Sequence, residues 1–259
     1  MHFPNHDGVS VVIPVFNEHD NILPLFEQIL FALQAFNHWE VIFVNDGSTD
    51  QTTAVLDELC RHRCVSVIHK DSRQGQSAAI FSGVQQAQYD RIVTLDCDGQ
   101  NDPGDIPRSL DMLANIQTPC LVAGIRVQRQ DSFKKKWASR IANGVRQLLL
   151  NDDCPDTGCG VKAFYRQHFL QLPFFDHMHR FLPALFKHCL GARIICFPVK
   201  HHPRMAGQSK YGIGNRLWVG ITDMLGVCWL IRRYKNIRSV QMASVMPAKN
   251  NANRKSAGL

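Results

Sequence analysis

The chain has 259 residues, 45% hydrophobic and 20% charged, enough for one large core or one domain with an appendage. Its formal charge of +7 and pI near 9.0 favour anionic partners such as nucleotides or anionic lipid headgroups. Nine cysteines without framework spacing argue against a disulfide-built secreted fold, and Cys60 and Cys64 lack a second ligand pair spaced for zinc.

The start, Met1 to Asp7, has neither the basic flank nor the apolar core of a signal peptide. Val9 to Pro14 is a short β-branched run that predicts a strand. Asp20 to Phe36 follows with Ile22, Leu25, Phe26, Ile29, Leu30 and Leu33 at helical spacing. Glu40 to Asp46 predicts the next strand, Gln51 to Cys60 a helix, and Val65 to His69 a third strand. A helix from Gly75 to Ala87 leads to a strand ending at Asp96. Repeated βα units with continuous apolar strands predict a parallel sheet covered by helices. Ligands of such sheets bind beyond the carboxyl ends of the strands. The polar clusters Phe16-Asn17-Glu18, Asp46-Gly47-Ser48, Arg73-Gln74-Gly75-Gln76 and Asp96-Cys97-Asp98 all fall there.

The second half is less regular. Cys120 to Gly124 predicts a strand, Phe133 to Leu150 a basic helix, Val161 to Phe164 a strand, Arg180 to Leu190 a helix and Ala192 to Val199 a strand. In the apolar stretch Leu217 to Ile231, Asp223 interrupts a run that is already short of the roughly 20 residues needed to span a bilayer. On a helical wheel Trp218, Ile221, Leu225 and Trp229 share one face, with Arg216 and Asp223 opposite and a basic end at Arg232, Arg233 and Lys235. That pattern suits an interfacial helix, with core packing or a dimer seam as the alternative. Pro247 to Leu259 is polar and aperiodic, a predicted disordered tail.

The stretch Asp96-Cys97-Asp98-Gly99-Gln100 carries the chemistry. Side chains two apart on an extended segment point the same way. Asp96, Asp98 and Gln100 are therefore expected to converge on one hard cation through oxygen ligands, and that cation can also grip a diphosphate. Asp46 and Glu18 are suited to accept hydrogen bonds from a nucleobase or ribose, or to serve as turn carboxylates.

Three blocks, Val12 to Glu18, Val44 to Asp50 and Leu95 to Asp98, occur in this order at βα spacing. Together they resemble the nucleotide-sugar-binding half of family 2 glycosyltransferases. The resemblance implies a GT-A fold, a Rossmann-like, mostly parallel sheet flanked by helices. Gly124-Ile125-Arg126, the loop Asp156 to Gly160 ahead of Arg166, Arg204-x-x-Gly207-x-Ser209-Lys210-Tyr211 and Asp98-Gly99-Gln100 with Asp102-Pro103 are similar to the polyprenyl-phosphate branch, the dolichol-phosphate mannose synthase group.

The resemblance implies a donor site at Pro14, Asn17, Glu18, Asp46, Gly75, Asp96 and Asp98, and Mg2+ or Mn2+ at Asp96, Asp98 and Gln100. It implies catalytic roles for Asp98, Arg126, Arg204 and Lys210. Arg126, Lys135, Arg204, Ser209 and Lys210 would face the acceptor phosphate. Such an acceptor has a second pKa near ~6 and is a nucleophile without a general base. The expected partners are a nucleotide-sugar, a polyprenyl phosphate and a membrane surface, with no nucleic acid, and with a homo-oligomer or membrane-protein partner left open. The expected location is peripheral, on the cytoplasmic face of the inner membrane. The expected division is a transferase domain over 1–212, an interfacial helix over 213–236 and a tail over 237–259. Two alternatives remain: transfer to a sugar hydroxyl, which needs a general base, and a non-catalytic nucleotide- or membrane-binding scaffold.

Overall fold

The computed structural model describes residues 8–114, 116, 118–126, 144–202 and 220–234. Seven strands form one sheet in the order β3-β2-β1-β4-β6-β5-β7. They are β1 (Val9–Val15), β2 (Trp39–Asn45), β3 (Val65–His69), β4 (Arg91–Thr94), β5 (Cys120–Arg126), β6 (Lys162–Tyr165) and β7 (Arg193–Val199). The helices are α1 (His19–Leu33), α2 (Thr52–Leu59), α3 (Gln76–Gln86), α4 (Asp105–Ala114), α5 (144–150), α6 (Arg166–Phe169), α7 (Leu182–Leu190) and α8 (220–234). A 3-10 turn, Met178–Arg180, precedes α7.

Alternation along the strands builds two cores. Val11, Ile13 and Val15 of β1 face α1 and α4 with Ile22, Ile29, Ile106 and Leu110. Val12 of β1 and Ile42 and Val44 of β2 point to the other face, against Ala79, Ile80 and Val84 of α3 and Leu185 and Phe186 of α7. Burial on both faces explains why β1 and β2 read as unbroken apolar runs.

The topology fixes where a ligand goes. β1 pairs in parallel with β2 on one side and β4 on the other. The chain runs outward through β2 and β3, then crosses back over β1 by way of α3. That reversal opens a crevice at the carboxyl ends of β1 and β4. β6 is antiparallel to both β4 and β5, with Thr94 opposite Lys162, so the loop before β6 returns to the same crevice.

Several predicted elements shift. β4 ends at Thr94, two residues before the predicted end at Asp96. The predicted helix from Arg180 starts at Leu182, after the 3-10 turn. Of the predicted helix from Phe133 to Leu150, residues 144–150 are helical and 127–143 lie outside the described residues. The tail from 237 also lies outside them. α4 was not anticipated; it begins just after Asp102-Pro103 with Asp105 in its first turn.

Candidate active site

The loops after β1 and β2 are fastened to each other. Asn17, at φ 52°, donates through Nδ2 to Thr49 Oγ1 (3.2 Å) and accepts the Thr49 amide on Oδ1 (2.8 Å). Its own amide donates to Ser48 Oγ. Glu18 precedes α1 and accepts from Asn21 Nδ2 at 2.7 Å. Asp46 is buried at the end of β2, and its two oxygens accept the amides of Gln74 (2.9 Å) and Gly75 (2.8 Å). Asp46 therefore acts first as a turn carboxylate that holds the segment into α3. Arg73 of that segment lies 4.3 Å over the Phe16 ring. Pro14 lies in β1 opposite Val44. None of Pro14, Asn17, Glu18, Asp46 and Arg73 lines the cavity that holds Asp96 and Asp98.

That cavity, of about 490 Å3, holds Asp96, Asp98 and Gln100 together, along with Arg126. The route differs from the predicted one. The strand has ended, residues 97–99 bend, and Gly99 sits at φ +72°. Gln100 thus arrives through a turn, with its amide on Asp98 Oδ1 at 3.1 Å, and not by strand alternation.

Asp96 lines the cavity half-buried. Its amide donates to Asn101 Oδ1 (2.9 Å), and its Oδ1 accepts from Gln76 Nε2 at the start of α3 (2.8 Å). Burial, and then the neighbouring Asp98 charge, push its carboxyl up to about 6, against the pull of Lys162 and Arg126. Two crowded carboxylates, an amide oxygen and an open cavity fit a hard divalent cation. Among the described residues no three His, Cys, Asp or Glu side chains are grouped to hold a metal. A cation here would complete its shell with phosphate oxygens or water, as Mg2+ and Mn2+ do.

The β6 side of the cavity carries residues that the sequence reading missed. Lys162 is buried, its Nζ donates to the Cys159 carbonyl, and its charge is felt at Asp96. Its signal was a lone lysine in an apolar strand. Thr94 Oγ1 donates to the Gly160 carbonyl at 2.7 Å. A Cβ on Gly160 would stand 2.5 Å from Asp96 Oδ2 and from Asn101 Oδ1. Gly160→Ala is therefore expected to displace the Asp96 carboxylate. Loss of metal-dependent binding with a retained circular dichroism spectrum checks this, and wild-type binding would contradict it.

Arg126 does not stand as an open phosphate clamp. Its Nε and Nη2 each donate to Asp156 at 2.7 Å, and its backbone amide reaches the same carboxylate at 3.2 Å. A phosphate would meet the Nη1 arm, outside that fork. The loop bearing Asp156 is held from α5 by Arg146, which binds Asp152 Oδ2 (2.8 Å), Thr157 Oγ1 (2.9 Å) and the Cys154 carbonyl.

After β7 the chain joins the loop of Gln100 and Asn101. His201 bridges Asn101, and the His202 amide donates to the Gln100 carbonyl at 3.0 Å. Lys135, Arg204, Ser209 and Lys210 lie outside the described residues.

Comparison with known proteins adds to this geometry. The model of the family "Glycosyl transferase family 2" matches residues 10–173. The chain is 34% identical over 229 residues to a dodecaprenyl-phosphate galacturonate synthase of Rhizobium johnstonii, covering 86% of this chain and 67% of that protein. It is 35% identical over 209 residues to an undecaprenyl-phosphate 4-deoxy-4-formamido-L-arabinose transferase of Edwardsiella ictaluri, covering 79% of this chain and 63% of that one. Among solved structures, a glucosyl-3-phosphoglycerate synthase from Mycobacterium tuberculosis, in complex with Mn2+, UDP and glucosyl-3-phosphoglycerate, superposes with a TM-score of 0.66. That match covers 87% of this chain and 80% of the other at 18% identity, and it speaks to the fold alone.

Proposed function

The chain belongs to glycosyl transferase family 2, and from that premise we propose that it moves a sugar from a nucleotide-sugar to a polyprenyl phosphate. The transfer would invert the anomeric centre and depend on Mg2+ or Mn2+, and its product would serve cell-envelope or lipopolysaccharide glycan modification. The relatives act, by name, on dodecaprenyl and undecaprenyl phosphates. The chain spans about two thirds of their length.

The observation that carries the choice of acceptor is the Arg126–Asp156 fork. A sugar hydroxyl is a poor nucleophile and needs a carboxylate to take its proton. Asp156 is the acid on the loop where such a base would sit, and a bidentate ion pair holds it as a charge partner. A lipid phosphate has already lost its proton near neutral pH. It asks the protein for cations and alignment, and Lys162 and the Arg126 Nη1 arm stand in the cavity to provide them. Arg204, Ser209 and Lys210 follow directly on the segment docked at Gln100.

In this reading the nucleotide lies along the rim of Asn17, Glu18, Asp46 and Arg73, with its diphosphate over Asp96, Asp98 and Gln100. The divalent ion held there would offset charge on the departing nucleotide. The bond from Gln76 Nε2 would fix the Asp96 carboxylate so that its direction does not change as charge develops. The test is sugar transfer to undecaprenyl phosphate, assayed with a panel of nucleotide-sugars, with and without EDTA. Transfer that needs both the lipid phosphate and the metal supports the reading. Full activity in EDTA, or transfer to a free sugar at the same rate, rejects it.

A peripheral place at the cytoplasmic membrane surface belongs to the same proposal. No helix of the described residues is long and apolar enough to cross a membrane. α8 buries Val227 and Ile231 in the core and leaves Ile221, Leu225 and Trp229 exposed. Arg233 lies 5.7 Å over the Trp229 ring. The exposed face is the one predicted to meet lipid; Trp218 lies outside the described residues. Leu225→Glu with Trp229→Glu should lower affinity for anionic vesicles by about a hundredfold, from roughly 3 kcal/mol of lost apolar burial. Sedimentation with vesicles measures it. Unchanged binding by a folded double variant would remove α8 as the anchor.

A further inference from the structure

The cavity has a second wall, of which the roles above use only Gln76. It is made by Gln76 and Ile80 of α3 with His179 and Arg180 of the 3-10 turn. Three cationic side chains line the cavity, and two of them are committed. Arg126 is forked on Asp156, and Lys162 donates to the Cys159 carbonyl. Arg180 has no ion-pair partner among the described residues, although it lines a cavity that also holds Asp96 and Asp98.

The residue before it is set up to donate. Ser77 Oγ accepts the backbone N–H of His179 at 3.1 Å and lies 2.7 Å from His179 Nδ1. Nδ1 is the acceptor that the described residues offer the hydroxyl proton, so the hydroxyl donates to Nδ1. The ring proton then sits on Nε2, the nitrogen not engaged by Ser77. Burial and the neighbouring Lys162, Arg180 and His177 keep the ring neutral. The wall is also braced from outside, where His177 Nδ1 meets Asp223 Oδ2 of α8 at 2.9 Å.

We propose that Arg180 and the Nε2–H of His179 form an oxyanion-binding subsite, which reads either a carboxylate on the donor sugar or the phosphate of the acceptor. A guanidinium without an ion-pair partner among the described residues, beside a neutral N–H donor, matches a planar or tetrahedral oxyanion, and a neutral hydroxyl would leave the charge unanswered. This rests on the cavity being the place where donor and acceptor meet.

The test labels arginines in the full chain with phenylglyoxal and follows Arg180 by peptide mass spectrometry. D-Galacturonate, D-galactose and inorganic phosphate are the probes. Slower labelling with galacturonate but not galactose assigns a carboxylate site. Slower labelling with phosphate alone assigns a phosphate site, and slowing by both anions assigns a general oxyanion site. No slowing by any probe overturns the proposal. Equal slowing at exposed Arg232 does so as well, because it would mark a nonspecific salt effect. An Arg180 that resists the reagent in the free protein also overturns it. His179→Asn keeps a group for Ser77 but removes the Nε2 donor, so protection should need several-fold more probe. His179→Gln, with an amide N–H near the Nε2 position, should restore it. Wild-type protection in His179→Asn would strike His179 from the subsite. Labelling needs no turnover, so Arg180 can be protected in a protein that transfers no sugar, and unprotected in one that does.

Discussion

Asp98→Ala is expected to abolish sugar transfer, by about a thousandfold or more, while the protein stays folded. A metal ion contributes several kcal/mol to charge stabilisation, and each 1.36 kcal/mol is a decade in rate. Asp98 faces the cavity, and its removal leaves the Asp96 bonds to Gln76 and Asn101 in place. Asp96 behaves differently. Its carboxyl is pushed from 3.8 to about 6, so the folded state holds a proton that the unfolded chain releases sooner. Between those values stability falls as pH rises, and the full cost is present above about 6. Asp96→Asn removes that cost. The metal-free variant should be more stable than wild type at pH 7.5, by on the order of 1–3 kcal/mol, and no more stable near pH 3.5. It should also transfer no sugar. Urea denaturation at the two pH values decides the matter. A destabilised Asp96→Asn at pH 7.5 would show that Lys162 depends on the Asp96 charge more than burial opposes it.

The halves of the molecule differed in how much the sequence revealed. β1 and β2 were legible because strands buried on both faces are written as continuous apolar runs, and the polar residues after them mark the crevice. Asp96, Asp98 and Gln100 were legible as a group by proximity in the chain, but the turn at Gly99 that joins them was not. β6 was legible as a strand, but its antiparallel place between β4 and β5 was not, because strand order depends on crossovers and not on the strand's own composition. The wall contacts are remote in sequence: Ser77 meets His179 across 102 positions, and Arg126 meets Asp156 across 30. Pairing at that distance leaves no local pattern. It gives Arg126, a predicted phosphate ligand, an acidic partner that the sequence did not announce.

That pair gives the second large effect. Arg126→Ala leaves the Asp156 carboxylate, which is only 10% exposed, with no fork to answer it. Breaking a buried pair from one side costs about 3–5 kcal/mol, because a desolvated charge is stranded. Arg126→Ala should therefore lose stability and activity together, and on its own it would not separate a phosphate ligand from a structural cation. The double change Arg126→Ala with Asp156→Ala separates them, because it removes both charges and should recover most of the stability. If Arg126 reaches the acceptor phosphate through its Nη1 arm, the double variant stays impaired by a further one to two decades in kcat/KM, the size of one charge-assisted hydrogen bond of about 1.5–3 kcal/mol. If activity returns along with stability, Arg126 serves only to hold Asp156. Burden would then shift to Lys162, whose replacement by methionine should cost transfer without stranding a paired carboxylate, because Asp96 keeps its bond from Gln76. Chemical denaturation and steady-state transfer on the same four proteins give the answer. Recovery of activity without recovery of stability would contradict the pairing itself.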